Sequence, residues 1–125
     1  MCSRGDRVAL LRLSRLGFQS VVSDRERNLF MVAYVVFTRE KMRNTEEYER
    51  YREKARPAAA GHPLKPLALY GKYEVLEGPA IEGAVVLEFP TIEAAKAYYH
   101  SPAYQDAVRH RFLGADYRVF VVEGI

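Results

Sequence analysis

The run MVAYVVF (31–37) carries apolar side chains at odd and even positions alike. Successive side chains of a strand point to opposite faces, so such a run needs cover on both sides. GAVVLEF (83–89) and YRVFVVE (117–123) repeat the pattern. Val32, Tyr34 and Val36 oppose Ala33, Val35 and Phe37, and Ala84 and Val86 oppose Val85, Leu87 and Phe89. In the last run Val119 and Val121 oppose Phe120 and Val122. A further strand is predicted over LALYGKYEVLEG (67–78), with Gly71 as a bulge, before GPAIEG (78–83) turns the chain.

Two helical patterns separate these strands. In RNTEEYERYREKA (43–55), Asn44 and Glu47 have capping-box spacing. Tyr48, Tyr51 and Ala55 form one apolar stripe, and Glu46 stands four residues before Arg50. Pro57 ends or kinks this helix. In EFPTIEAAKAYYHSPAYQ (88–105), Thr91 caps a second helix and Glu93 favours its first turn. Ser101-Pro102 restarts it, with Ser as cap and Pro at the first helical position. At least one of Tyr98 and Tyr99 is expected to anchor that joint. The restarted helix should carry Ala107, Val108 and Phe112 inward and stop at Gly114.

The resulting order is β-α-β-β-α-β, with helices on one face of a four-stranded antiparallel sheet, an α+β fold. The other sheet face is also apolar, and soluble monomers rarely leave a patch of more than a few hundred Å² bare. A second copy is expected to cover it through a two-fold axis, giving a homodimer. The N-terminal segment is the competing cover.

With 125 residues, 49% hydrophobic and 28% charged, the composition is that of one globular domain. The net charge of +3 is local. Residues 1–30 hold six arginines against three acids, and the remainder balances thirteen basic against thirteen acidic groups. The body therefore has no electrostatic bias toward nucleic acid or an anionic membrane. Residues 1–30 are expected to be an N-terminal extension, poorly packed or partly helical, with the core domain spanning 31–125. Their Arg- and Ser-containing, acid-poor pattern also fits an organellar presequence or a mis-assigned start, while Val8–Leu11 is too short for a membrane span. The single cysteine, Cys2, provides neither a disulfide framework nor a thiolate cage, which fits a reducing, cytoplasmic setting.

The chain resembles the dimeric α/β-barrel proteins, whose units are ferredoxin-like, and within them the domain-of-unknown-function family 1330. The residues that carry the resemblance are AYVVF, EEYERYREKARP, GKYEVLEG, VVLEFPTIEAAKAYYHSPAYQ and RVFVVEG, in family order across 31–125. Residues 1–30 depart from the family pattern. The resemblance implies a fold and a dimer but no reaction. The wider superfamily includes cofactor-free monooxygenases, lactone isomerases and haem-binding enzymes, an analogy at the level of fold.

Candidate chemistry is sparse. Tyr34 and Glu88 are polar members of neighbouring apolar strands, so they can share a face. In a cavity between sheet and helices, Glu88 would carry a proton and Tyr34 would orient a ligand. The plainer reading leaves Glu88 solvated at its strand end. His62, in the loop after the first helix, would polarise the ligand, or is simply a surface histidine. Tyr73 and Tyr99 are further cavity candidates among nine tyrosines. Tyr48 and Tyr51 suit an interface or helix-on-sheet packing. His100 and His110 lack metal-ligand spacing, so no metal is expected, and no cofactor is assigned; the residues leave open whether any histidine faces a pocket deep enough for haem. No phosphate-binding glycine loop is present. The RNA-recognition motif shares the strand order, but EGAVVLEF puts Ala84 and Val86 where its stacking rings belong. The expected partner is therefore a second copy and a small organic molecule, with cofactor-independent proton transfer or oxygenation against a non-catalytic binding or assembly role.

Overall fold

The computed structural model describes residues 31–125. The expectations placed on residues 1–30 lie outside the described residues. The elements run β1 (Ala33–Met42), α1 (Thr45–Ala58), β2 (Lys65–Leu69), β3 (Ala84–Phe89), α2 (Ile92–Tyr99), α3 (Pro102–Gly114) and β4 (Ala115–Glu123). The sheet is antiparallel in the order β2-β3-β1-β4. This is the α+β arrangement expected from the strand and helix patterns, with the ferredoxin-like strand order that the resemblance implied.

Local signals place the helices. Asn44 Oδ1 accepts from Glu47 N at 3.1 Å, and Thr91 Oγ1 from Ala94 N at 3.0 Å. Ser101 Oγ accepts from Tyr104 N at 3.3 Å and donates to Tyr98 O at 2.8 Å. That one hydroxyl closes α2 and opens α3, which accounts for the Ser-Pro joint. The capping box is only half formed, because the Glu47 carboxylate bonds Arg50 and His110 rather than turning back to the cap. Arg50 thus pairs at i−3 with Glu47 rather than with Glu46. The Asn44 N–H instead donates to Gly114 O at 2.9 Å.

Ala33, Val35 and Phe37 of β1 and Val85, Leu87 and Phe89 of β3 are buried against the helices. All of these but Ala33 join Ala58, Ala95, Tyr98, Tyr104 and Val108 in one cluster. Each fully buried side chain of this size contributes about 1.5–3 kcal/mol. The opposite face carries Tyr34, Val36, Val86, Phe120 and Val122. There Phe120 and Val122 remain 51% and 48% exposed.

Two expectations are corrected. The second strand covers Lys65–Leu69 rather than 67–78. It ends where Tyr70 adopts φ +53, and its irregularity lies between Pro66 and Ala68, not at Gly71. Pro66 is tolerated because β2 is an edge strand. In α3, Phe112 is 58% exposed, and the inward position belongs to Arg111, 2% exposed. Tyr104, Ala107, Val108 and Arg111 fall at i, i+3, i+4 and i+7, which is the buried stripe.

Candidate functional site

The structure separates the residues that the sequence nominated. Tyr34 and Glu88 are direct cross-strand partners, with Lys65 on the other side of Glu88. All three sit on the sheet face away from the helices, not in a cavity beneath them. His62 lies beyond α1 with its ring edge-on to Tyr98, 5.3 Å between centroids. Tyr73 belongs to the irregular segment before β3, where its hydroxyl donates to Ile81 O at 2.9 Å. Tyr99 lines a hollow of ≈ 380 Å³ beside β4, with Lys96, His100 and Phe120.

A larger cleft forms elsewhere. Helix α1 packs chiefly on α3, and between α1 and the β2–β3 side of the sheet a space of ≈ 480 Å³ remains. Phe37, Ala55, Leu64, Leu69, Val85 and Leu87 supply apolar walls. Tyr48, Tyr51, Tyr70 and Tyr98 bring phenols to it, and Arg52 and Arg56 are the charged lining residues. Arg52 is paired with Glu49 at 3.1 Å. Among the described residues no carboxylate and no histidine lines the cleft.

Behind this wall two arginines feed the phenols. Arg39 Nη1 donates to the Tyr48 hydroxyl at 3.1 Å, and Arg39 Nη2 to Glu82 O at 2.6 Å. Its guanidinium lies 4.7 Å from the Tyr70 ring centre and 5.4 Å from that of Tyr48. The Tyr48 hydroxyl donates to Tyr70 and accepts from Tyr117, each at 3.0 Å, and Tyr70 bonds Tyr117. Three hydroxyls thus close a triangle. Burial pushes the Tyr70 and Tyr117 phenols well above their ordinary range, which keeps those two hydroxyls protonated.

Arg111 serves the second group. Its Nη1 donates to the Tyr104 hydroxyl at 3.1 Å, and Tyr104 and Tyr51 hydroxyls lie 2.8 Å apart. The Arg111 guanidinium is 4.7 Å from the Tyr117 ring centre and 5.3 Å from that of Tyr51. Burial disfavours its charge, but the oxygens of Tyr104 and Tyr51 more than offset this, and its pKa is raised. Burial likewise drives Tyr104, Tyr98 and Tyr51 up. No carboxylate among the described residues pairs with Arg111 or Arg39, and the Nε of each is buried without a partner.

Tyr70 carries a strained backbone into this site. A φ of +53 is uncommon for a bulky residue. Gly83 makes it possible to seat the ring, since a Cβ there would lie 2.7 Å from Tyr70 Cδ1. Arg39, Tyr70, Tyr104, Arg111 and Tyr117 escaped the sequence reading. The helical period of α3 and the alternation of β4 carried the signal for Arg111 and Tyr117, but no pattern marks a left-handed tyrosine.

The family model described as a domain of unknown function, DUF1330, matches residues 32–125. No curated protein matches the chain. Among solved structures, a protein of unknown function from Rhodopseudomonas palustris aligns with TM-score 0.62 and 17% identity, over 90% of this chain and 92% of that one. A dimeric ferredoxin-like protein of unknown function from Thermobifida fusca aligns with TM-score 0.54 and 15% identity, over 74% and 91%. A Caulobacter crescentus protein provisionally described as an antibiotic biosynthesis monooxygenase aligns with TM-score 0.51 and 11% identity, over 81% and 96%.

Proposed function

The chain belongs to the DUF1330 family, and on that premise we propose that it is a homodimeric binding protein for a small organic molecule held between α1 and the sheet. One observation carries this reading: the ≈ 480 Å³ cleft has apolar walls and a few fixed phenols. Small-molecule sites commonly occupy about 300–1,000 Å³ and have that mixture of surfaces. The left-handed Tyr70 adds support, because backbone strain of this kind is retained where a site needs it.

The dimer forms through the open sheet face, where exposed Phe120 and Val122 supply apolar surface. The description of the Thermobifida neighbour as dimeric supports this. Tyr34, Glu88 and Lys65 then belong to the interface, Tyr73 ties down its own loop, and His62 supports Tyr98 from behind. A cleft whose described lining has neither carboxylate nor histidine favours binding without an acid–base step.

Cofactor-independent proton transfer or oxygenation is the second reading. It draws support from Tyr34 lying directly opposite Glu88, and from the fold likeness to a described monooxygenase.

Native mass spectrometry of the full chain, purified gently from cells, tests the first reading. It expects a dimer carrying a discrete extra mass, which Ala59→Phe, filling the cleft, should remove. A bare monomer that remains soluble would overturn it.

A further inference from the structure

Arginine can only donate hydrogen bonds, so Arg111 sets the direction of every bond beyond it. Tyr104 accepts from Arg111, and its own proton needs an acceptor. Tyr104 is fully buried, and among the described residues the Tyr51 oxygen, 2.8 Å away, is the acceptor within reach. Tyr104 therefore donates to Tyr51. The Tyr51 proton is then left over, and Tyr51 lines the cleft. The chain of donors Arg111, Tyr104, Tyr51 ends on a residue of the cleft wall, whose hydroxyl proton still needs an acceptor and is polarised by a buried cation.

The rest of the cleft points the same way. Tyr48 receives from Arg39 and from Tyr117, so its triangle is also fed by a cation. Arg56 and the Glu49-paired Arg52 are lining residues, and no acidic residue among the described residues lines the cleft. A carboxylate accepts from the Tyr51 hydroxyl more strongly than a neutral ligand does, and Arg56 adds a positive charge to the lining. The walls are apolar and aromatic over most of the remaining surface.

We infer that the cleft binds a small aromatic carboxylate, its ring against Phe37, Leu69, Val85 and Leu87 and its carboxylate accepting from Tyr51 at the end of the Arg111–Tyr104–Tyr51 relay. This inference rests on the small-molecule reading above and gives it a ligand class. Arg111 and Tyr104 are positioning residues, since they act through Tyr51.

Titration calorimetry of the full-length protein with naphthoate and with its uncharged isostere naphthamide tests it. Naphthoate should bind about tenfold or more tightly than naphthamide, and added salt should narrow the gap. Tyr51→Phe removes only the hydroxyl. It should weaken naphthoate about tenfold or more and naphthamide, whose carbonyl accepts a weaker bond, only about two- to threefold. Ala59→Phe should abolish both. Equal affinity for the two probes overturns the carboxylate assignment while sparing the cleft as a binding site. An equal loss of both probes in Tyr51→Phe overturns the relay. Failure of both probes to bind, or full binding in Ala59→Phe, overturns the inference and the small-molecule reading together.

Discussion

Removing one buried oxygen, the Tyr104 hydroxyl, should be strongly destabilising. In Tyr104→Phe the lost hydroxyl is the acceptor for Arg111 Nη1, whose side chain is 98% buried and whose Nε already lacks a partner. A hydrogen bond to a charged group is worth about 1.5–3 kcal/mol, and an orphaned buried donor adds to that loss. The Tyr104–Tyr51 bond contributes about 1 kcal/mol more. The total is about 2–4 kcal/mol, which for a domain of this size lowers Tm by about 10 °C or more. Arg111→Met fills the space with an apolar side chain and removes the charge. Replacement of a buried charge in this manner is often neutral or stabilising. In the Arg111→Met background Tyr104→Phe should therefore cost only about 1 kcal/mol, a coupling of roughly 1–3 kcal/mol. Urea unfolding of the four proteins at one fixed protein concentration measures it. Additive costs, within about 0.5 kcal/mol, would refute the claim that Arg111 depends on the Tyr104 hydroxyl.

Three further outcomes follow from the same packing. Gly114→Ala sets a Cβ 2.7 Å from Tyr48 N and 3.0 Å from Tyr48 Cα, so it should cost about 1–3 kcal/mol in urea unfolding. Wild-type stability there would mean that α1 and α3 do not meet so closely. The bond from His110, opposed by partial burial and aided by Arg50, holds the Glu47 carboxyl below its ordinary 4.5. Its contribution is thus complete above that value and lost as pH falls through the lower folded value. Stability should decline on acidification between about pH 5 and pH 3, and less steeply in Glu47→Gln; identical slopes would contradict the pairing. Burial raises the Tyr51, Tyr98 and Tyr104 phenols, so their contribution holds below the unfolded value of about 10 and is lost above it. Ultraviolet titration should show them ionising only as the circular dichroism of the fold is lost, and ionisation of all nine tyrosines near pH 10 in folded protein would contradict this.

Much of the fold could be read from residue patterns, because caps and alternation act locally. Asn44, Thr91 and Ser101-Pro102 sit where their side chains satisfy helix N-termini, as expected. The site was less legible, for three physical reasons. Both faces of β1 and β3 are apolar, so alternation placed Tyr34 with Glu88 correctly but did not say which face the helices cover. In α3 the helical period points to 104, 107/108 and 111, yet arginine is rarely buried, and the preference for an apolar residue moved the expected stripe to Phe112. Arg111 is accommodated by rings and hydroxyls from α1, α3 and β4, elements distant in sequence. Finally, the β2 boundary depends on a tyrosine at positive φ opposite Gly83, and a β-favouring residue type gives no warning of such a turn.

The most direct test of the account is an amide chemical-shift map of the full-length protein titrated with naphthoate. Saturable shifts confined to the cleft are expected, at Tyr51, Ala55, Ala59, Leu69, Tyr70 and Leu87. Shifts centred instead on Val36, Val86 and Phe120 of the open sheet face would contradict it.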